Sequence, residues 1–425
     1  MSLDIDLSIR SIELSNFRCF EHLTLDFDPR CTLLFGANGL GKTAILEAVT
    51  AGLGALFVGM ENLDVRLLRA ADRRRVIRET QGVSSVDRPT PVSVRINAQL
   101  EGGPASWMVT PSSRKNLRGS TAGRWGADVE RRVGLGAAVT LPLVVYYSAS
   151  RLWNGGADAS EDSIGSRLDA YDGCLAADST LVPVSTWMRR LTYAAVQRGN
   201  ASPHLAAVRA SVLSALPELT DFFFDITAED LRVRYKDGTL QSVALLSDGY
   251  RNLLGVTADL AWRVARLNPH RGEDAAKATG GVALIDEIDL HLHPTWQRRV
   301  LPSLIAAFPA VQFIVTTHSP QVLGSAKREW TRVVGDKGVF AGAFVEGRDS
   351  NSILTDVMGD RGRDPKAQEK LNALYRWIDM EDFSQARAQI SDLALTLGED
   401  DVELLRASSL ILTLEADDAD DHQAS

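Results

Sequence analysis

The sequence predicts an α/β fold, because short apolar runs with the composition of buried strands are interspersed with helical patterns. Three such runs lie at residues 31–35, 281–285 and 311–317. The first leads into a glycine-rich loop, the second into an acidic pair and the third into a histidine. A long amphipathic pattern at residues 252–267 predicts a helix before the second run. We therefore expect an α/β head whose polar loops carry the chemistry.

The glycine-rich loop at residues 36–43 reads GANGLGKT and fits the phosphate-binding pattern G-x-x-x-x-G-K-[ST]. The pattern requires a strand before the loop and a helix after it, and the apolar residues 31–35 and 44–49 satisfy both requirements. A chance glycine turn before an ordinary helix is the alternative, and the matching context disfavours it. The loop therefore predicts that the chain binds a nucleoside triphosphate.

Each residue type of this loop, which is known as Walker A, has a chemical role in binding phosphate or Mg²⁺. The glycines let the backbone aim its N–H groups at phosphate oxygens, at the positive end of the following helix dipole. We expect Lys42 to reach the β- and γ-phosphates and Thr43 to bind Mg²⁺. The residues expected to contact ATP here are Gly36, Asn38, Gly39, Gly41, Lys42, Thr43 and Ala44.

The acidic pair Asp286-Glu287 directly follows the apolar run 281–285, as in a Walker B strand. We expect Asp286 to hold Mg²⁺ through its water shell, because this hard cation prefers carboxylate and water oxygens. Glu287 is placed to orient or deprotonate the water that attacks the γ-phosphate. An acidic pair can also stabilise the N-terminus of a following helix. Beside a Walker A loop, the catalytic interpretation is favoured.

Three further segments resemble parts of an ABC ATPase head. Residues 246–251, LSDGYR, precede the predicted helix at 252–267, so Ser247 and Gly249 lie where a helix N-terminus can bind an anion. They resemble the ABC signature, although Asp248 and Tyr250 depart from its usual residues. Residues 289–294 occupy the place of the D-loop, and His318 resembles the switch histidine, which completes the catalytic set of Glu287, Lys42 and His318.

The chain is most similar to the RecF/SMC/OLD branch of these ATPases, because it contains IELSNFRCF at residues 12–20, DEIDLHLHP and TTHSP. This resemblance implies that Asn16 and Arg18 lie beside the nucleotide, although Arg18 could instead be a solvated charge. It also implies a homodimer, or a higher even oligomer, of heads arranged head to tail. Each ATP is then enclosed between Walker A of one head and Ser247 and Gly249 of the other.

Composition narrows the class of protein. A length of 425 residues predicts two or three structural units, and 45% hydrophobic and 24% charged residues are ordinary for a globular protein. The sequence has no apolar run near the roughly 20 residues that span a bilayer, and its acidic start does not resemble a signal peptide. The scattered Cys19, Cys31 and Cys174 predict no disulfide framework. We therefore expect a cytoplasmic protein without a membrane partner.

Charge and periodicity predict how the remaining residues are organised. We expect a head formed by 1–61 and 241–348, interrupted by an inserted lobe at 62–240 with a basic β-subdomain and a helical part. Residues 62–132 carry a net charge of +7 in a chain of −9, which predicts contact with DNA or RNA or, alternatively, a solvated face. Helical periodicity predicts a C-terminal bundle at 349–416, followed by a disordered acidic tail at 417–425.

A looser resemblance involves the defence-associated ATPases of the Septu and retron type, the PtuA group. It depends on RDSNSIL at 348–354 and on Arg167, Tyr171 and Trp187, although aromatic residues at helical spacing are more often core. The resemblance implies an ATPase that regulates a separate HNH nuclease, PtuB-like, in anti-phage defence. A retron reverse transcriptase and its nucleic acid are further partners that it allows. In this interpretation the bundle is the docking platform for the nuclease.

Two other functions stay open. Residues 344–349, FVEGRD, resemble the start of a TOPRIM nuclease, in which Glu346 would hold metal together with Asp418 and Asp420. The chain would then be an OLD-like nuclease. The third possibility is a RecF-like repair ATPase that binds DNA directly.

Overall fold

The structure is a computed structural model, and it describes residues 7–61, 63, 65–80, 83–112, 114–150, 166–176, 182–200, 202–336, 338–359 and 363–423. The chain divides into two compact units, residues 1–353 and residues 354–425. None of the helices in the described ranges combines the length and the apolar character needed to cross a bilayer.

The described strands are β1 (Leu7–Phe17), β2 (Phe20–Asp26), β3 (Cys31–Phe35), β4 (Val76–Thr80), β5 (Val83–Asp87), β6 (Ser93–Leu100), β7 (Gly103–Val109), β8 (Leu143–Tyr147), β9 (Leu219–Asp225), β10 (Asp230–Tyr235), β11 (Leu240–Ser242), β12 (Gly281–Ile285), β13 (Val311–Thr316), β14 (Thr331–Gly335) and β15 (Gly338–Ala341). The described α-helices are α1 (Lys42–Leu53), α2 (Arg114–Leu117), α3 (Thr121–Gly134), α4 (Val182–Arg198), α5 (Pro203–Ala215), α6 (Asp248–Leu267), α7 (Ala275–Ala278), α8 (Pro294–Ala307), α9 (Pro320–Gly324), α10 (Ser350–Ser352), α11 (Pro365–Asp379), α12 (Phe383–Leu397) and α13 (Val402–Gln423).

A six-stranded sheet forms the centre of the first unit, in the order β15-β14-β3-β13-β12-β8. The strands from β14 to β8 are parallel, and β15 pairs with β14 in the antiparallel sense. Every residue of β3, β8, β12 and β13 is buried, which explains their predominantly apolar sequences. Because these strands are parallel, the polar loops that follow β3, β12 and β13 meet at one edge of the sheet.

A second, antiparallel sheet in the order β2-β1-β6-β7 packs against the helix that follows the glycine-rich loop. Trp107 in β7 donates its indole N–H to the carbonyl of Gly52 in α1 at 2.8 Å. A Cβ at Gly52 would lie 2.4 Å from Ile96 Cγ1 in β6, so the helix and the sheet are in close contact. This packing fixes α1 from its outer side.

The strand pairing corrects the expected domain boundaries. β6 and β7 join β1 and β2 in one sheet, and β8 pairs with β12. Residues within the expected insertion 62–240 therefore complete both sheets of the head. A strand's pattern shows that it is buried but not which distant strand it pairs with, so the sequence could not assign these partners. The rest of the insertion includes α4 and α5, which pack against β9 of the antiparallel sheet β11-β10-β9.

In the part of the second unit that the structure describes, the helices α11, α12 and α13 pack around one apolar core. Its buried residues are Leu371, Leu374, Ile378, Ala386, Leu393, Leu404, Ala407 and Ile411. Two expectations need correction. The unit begins at residue 354 because Ile353 is fully buried beside α9 of the first unit, and α13 continues to Gln423 instead of ending before residue 417. The segment 402–423 contains no glycine or proline that would end the helix earlier.

Candidate nucleotide-binding and hydrolysis site

A cleft of about 350 Å³ lies at the edge of the central sheet where the parallel strands end. It brings together residues from the two ends of the first unit. Its lining consists of Arg18, Cys19, Asn38, Gly39, Gly41, Lys42, Thr43, Ala44, Asp286, Glu287, Thr316 and His318. Most of the candidate site residues selected from the sequence thus line one cleft. Four of the candidates do not line it: Asn16, Gly36, Ser247 and Gly249.

The glycine-rich loop has a backbone that only glycine accommodates at two positions. Gly36 has φ 146°, and a Cβ there would lie 2.2 Å from the carbonyl oxygen of Val334. Gly41 has φ 95°, and a Cβ there would lie 2.6 Å from Cys19 Sγ. Lys42 Nζ donates to the loop carbonyls of Gly36 at 2.9 Å and Ala37 at 2.8 Å. Burial lowers the pKa of Lys42. Nearby carboxylates oppose that shift, and Asp286 has the largest effect among them.

Asp286 is almost completely buried and is fixed on both carboxylate oxygens. Thr43 Oγ1 donates to Asp286 Oδ2 at 2.9 Å, and Thr316 Oγ1 donates to Oδ1 at 2.6 Å. The Thr43 hydroxyl and the Asp286 carboxylate thus present neighbouring oxygen atoms at the floor of the cleft. Oxygen ligands of this kind suit Mg²⁺, so these two residues fit the metal expected from the sequence.

Glu287 adopts a left-handed backbone with φ 46°, a conformation that costs a non-glycine residue about 1 kcal/mol or more. Its N–H donates to Thr316 Oγ1 at 2.7 Å, which holds the turn in place. The side chain lines the cleft. Thr316 therefore orders both members of the acidic pair, a function that the sequence did not reveal because buried threonine is common in strands.

His318 lies in the cleft at the end of β13. Burial and the nearby Lys42 cation lower the pKa of His318, while Asp289 and Glu287 oppose the shift. The side chain is therefore neutral near pH 7 and can donate one hydrogen bond. Thr317 Oγ1, from the preceding residue, donates to Asp289 Oδ1 at 2.6 Å, so the predicted D-loop is attached to the strand that carries the histidine.

The N-terminal Asn-Phe-Arg element is only partly where the resemblance puts it. Arg18 lines the cleft, but its guanidinium is paired with Asp72 at 2.9 Å and with Glu47 of α1. Asn16 does not line the cleft, contrary to the expectation from the resemblance. Its side-chain amide donates to the carbonyl of Pro91 at 2.9 Å. Its left-handed φ of 47° shapes the turn before Arg18. The sequence did not indicate Asp72, which is distant in the chain.

The predicted signature residues begin α6, outside the cleft. Ser247 is exposed at the N-cap position, and Gly249 packs so closely that a Cβ there would lie 2.0 Å from the carbonyl oxygen of His291. Tyr250, which departs from the usual signature, donates to Glu218 at 2.5 Å and packs edge-on against Trp296. Tyr250 is thus a packing residue in this chain.

The alternative hypothesis of an OLD-like nuclease depends on Glu346, Asp418 and Asp420. Glu346 is exposed in the loop after β15. The side chains of Asp418 and Asp420 lie outside the described residues.

Comparison with known families agrees with this geometry. Residues 11–171 match the family described as "AAA domain", and residues 177–324 match "AAA domain, putative AbiEii toxin, Type IV TA system". The chain is an ATPase of the AAA/ABC type. The α/β head and the enzyme class predicted from the sequence are therefore confirmed.

Relatives of the ATPase include the groups suspected from the sequence. It is 25% identical to the "Retron Ec83 probable ATPase" of Escherichia coli over 85% of this chain and 78% of that protein. A 75-residue stretch is 44% identical to the "Septu protein PtuA" of Bacillus mycoides, covering 18% of this chain and 10% of that protein. The SMC head domain from Thermotoga maritima is similar over 79% of this chain and 99% of that chain, at 14% identity and a TM-score of 0.39.

Proposed function

We propose that the ATPase hydrolyses ATP between two heads of the same protein and that the closed pair controls a partner HNH nuclease in prokaryotic anti-phage defence. One observation carries the pairing: the cleft contains Lys42, Asp286, Glu287 and His318, whereas the signature residue Ser247 is exposed away from it. A second head would supply the missing signature contacts.

In the proposed reaction, a water molecule attacks the γ-phosphorus while the bond to the β-phosphate oxygen breaks. The loop N–H groups and Lys42 bind the phosphate oxygens, and Glu287 accepts the proton that the attacking water loses. Thr43 and Asp286 would hold Mg²⁺, which when bound neutralises phosphate charge. His318, neutral near pH 7, donates a hydrogen bond to the γ-phosphate.

Control of a nuclease is supported by the relatives and by the second unit. The names of the matched proteins place them in retron and Septu systems. Residues 349–421 carry a net charge of −11, which favours a basic partner. The bundle also exposes apolar side chains such as Leu395, Leu412 and Met380, with exposed fractions of 89%, 61% and 69%. Exposed apolar groups of this size support a protein partner.

Pairing is tested by light scattering on the Glu287→Gln variant with and without ATP. We expect a dimer, or an even multiple of it, only with ATP, because slow hydrolysis preserves the bound nucleotide. Adding Ser247→Arg, which would place a bulky cation at the signature position, should abolish pairing and leave ATP binding to the cleft unchanged. A Ser247→Arg variant that still pairs would contradict the proposed arrangement.

The nuclease is tested by co-expressing the ATPase with an HNH nuclease encoded beside it and measuring co-purification and phage protection. The proposal expects both, and expects Lys42→Ala to alter protection without preventing nuclease binding. If the ATPase cuts DNA by itself with Mg²⁺ or Mn²⁺, the OLD-like alternative replaces the proposal.

A further inference from the structure

A buried ion pair lies on α6, the helix that begins with the signature residues. Asp259 and Arg263 are one turn apart, and their side chains are 1% and 3% exposed. Arg263 Nε donates to Asp259 Oδ2 at 2.8 Å. Two charges removed from water contribute no more stability than well-packed apolar side chains of similar volume, and often less. Stability alone therefore does not account for this pair.

The pair is connected to the acidic residues of the cleft through Tyr147, the last residue of β8. Tyr147 Oη donates to the same Asp259 Oδ2 at 2.6 Å, and the Tyr147 carbonyl accepts the N–H of Asp286 at 2.8 Å. Burial and the Asp259 carboxylate raise the pKa of Tyr147, so its hydroxyl stays a donor. An unbroken chain of hydrogen bonds and backbone thus leads from α6 to Asp286.

The same pair is also fixed on its other side. Arg263 Nη1 donates to the carbonyls of Ala170 at 2.5 Å and Asp172 at 3.4 Å. Within the described residues, Asp259 Oδ1 is buried and has no hydrogen-bond partner. A buried network that already leaves one carboxylate oxygen unpaired allows one placement of the helix, because a shift would leave further buried polar atoms without partners. An apolar contact at the same place would tolerate sliding.

We propose that Tyr147, Asp259 and Arg263 are positioning residues that hold the signature end of α6 in register with Asp286. This inference rests on the proposed pairing of heads, in which α6 presents Ser247 to the ATP of the other head. Asp286 serves the chain's own ATP. The network therefore makes the two ATP sites of a pair depend on each other.

The first test removes one oxygen atom by the substitution Tyr147→Phe. We expect kcat for ATP to fall about tenfold or more, while the Kd for ATP stays within about twofold, because the cleft itself is unchanged. Tyr171→Phe is the matched control: Tyr171 is equally buried, and its hydroxyl donates to the Pro142 carbonyl at 2.6 Å without contacting Asp259. A purely structural role predicts similar losses of Tm and unchanged kcat for both variants, and that result overturns the inference.

The second test replaces the network with apolar residues, as Tyr147→Phe, Asp259→Leu and Arg263→Met together. The triple variant should fold, bind ATP and lose turnover, because it retains packing but not register. Wild-type kcat in the folded triple variant would overturn the inference. If the triple variant does not fold, the single Tyr147→Phe decides the outcome.

ATP-induced pairing, measured in the Glu287→Gln background, separates the two proposals. Absence of pairing with Tyr147 intact would contradict the proposed function. Normal pairing in that background, together with wild-type turnover of Tyr147→Phe alone, would contradict only the inference about the network.

Discussion

Thr316 connects the two acidic residues of the cleft at the scale of single atoms. Its hydroxyl donates to Asp286 Oδ1 at 2.6 Å and accepts the N–H of Glu287 at 2.7 Å. The residue is fully buried, so these bonds have no competition from solvent. One hydroxyl therefore fixes both the carboxylate expected to hold Mg²⁺ and the strained turn that carries Glu287, the proposed general base.

Replacing Thr316 with valine should lower the free energy of unfolding by about 1–3 kcal/mol and reduce kcat about tenfold, because the Glu287 N–H loses its buried acceptor. Chemical denaturation and steady-state ATPase assays measure both. The control Thr331→Val removes another buried threonine hydroxyl, which donates to the Arg328 carbonyl at 2.8 Å. It should cost stability alone, and an equal loss of kcat in the control would refute the role of Thr316.

Glu287→Gln should retain ATP binding and slow hydrolysis by about 10²-fold or more, the range for a lost general base. Single-turnover hydrolysis with excess protein separates binding from chemistry. Glu346→Gln, at an exposed glutamate outside the cleft, should hydrolyse ATP like the wild type. Unchanged hydrolysis in Glu287→Gln would eliminate this residue as the base.

Among the secondary-structure elements, α6 and the D-loop are in direct backbone contact. A Cβ added at Gly249, in the first turn of α6, would lie 2.0 Å from the carbonyl oxygen of His291. His291 itself has a left-handed φ of 61°. The glycine of the signature is therefore required by packing within one head, whether or not it also contacts ATP.

Gly249→Ala should destabilise the protein by about 1–3 kcal/mol, although alanine is the better helix former, because backbone atoms must shift to admit the methyl group. Gly134→Ala is the control, since a Cβ there meets nothing within 4 Å. The control should be neutral or slightly stabilising. Equal thermal stability of the two variants would show that the D-loop adapts without cost.

The β4–β5 hairpin carries some of the exposed residues of the basic segment 62–132. Ile77 and Val86 face each other across its two strands with exposed fractions of 73% and 54%, and Arg75 and Arg78 are exposed nearby. An isolated two-stranded hairpin with apolar and cationic side chains in solvent suits contact with a polyanion.

Arg75→Glu with Arg78→Glu should weaken binding of DNA or RNA and flatten its salt dependence, because fewer counterions are released. A titration at several salt concentrations measures the slope. Arg406→Glu is the control, because Arg406 and Arg78 side chains are both 70% exposed. An unchanged slope in the double variant would favour the interpretation as a solvated face.

For the whole molecule, the chain divides into two compact units, and the cleft lies in the first of them. All residues of the cleft lie in residues 1–353, and the acidic bundle forms its own core. A chain ending at residue 353 should therefore fold and keep its ATPase activity. Leu371, Leu374 and Ile378 illustrate that the bundle's core is internal.

Deleting residues 354–425 should leave kcat within about twofold and abolish co-purification of the HNH nuclease and phage protection. A chain ending at residue 416 is the control and should retain the nuclease. If the shorter chain still binds the nuclease, the docking surface lies in the first unit.

The sequence by itself determined most of the residues that line the cleft. Walker A, the acidic pair and the switch histidine each need fixed residue types at short spacing, because phosphate and metal binding depend on local backbone and adjacent side chains. Buried parallel strands likewise show as largely apolar runs, so β3, β12 and β13 could be located.

Only the tertiary structure decided the partners of these elements. In the structure, β6, β7 and β8 belong to the sheets of the head. Asn16 lies outside the cleft, and Arg18 forms an ion pair with Asp72. The structure also revealed Thr316 and the network around Asp259. These contacts join residues distant in the chain, and their choice depends on which buried surfaces and hydrogen bonds can be satisfied together, which no local pattern records.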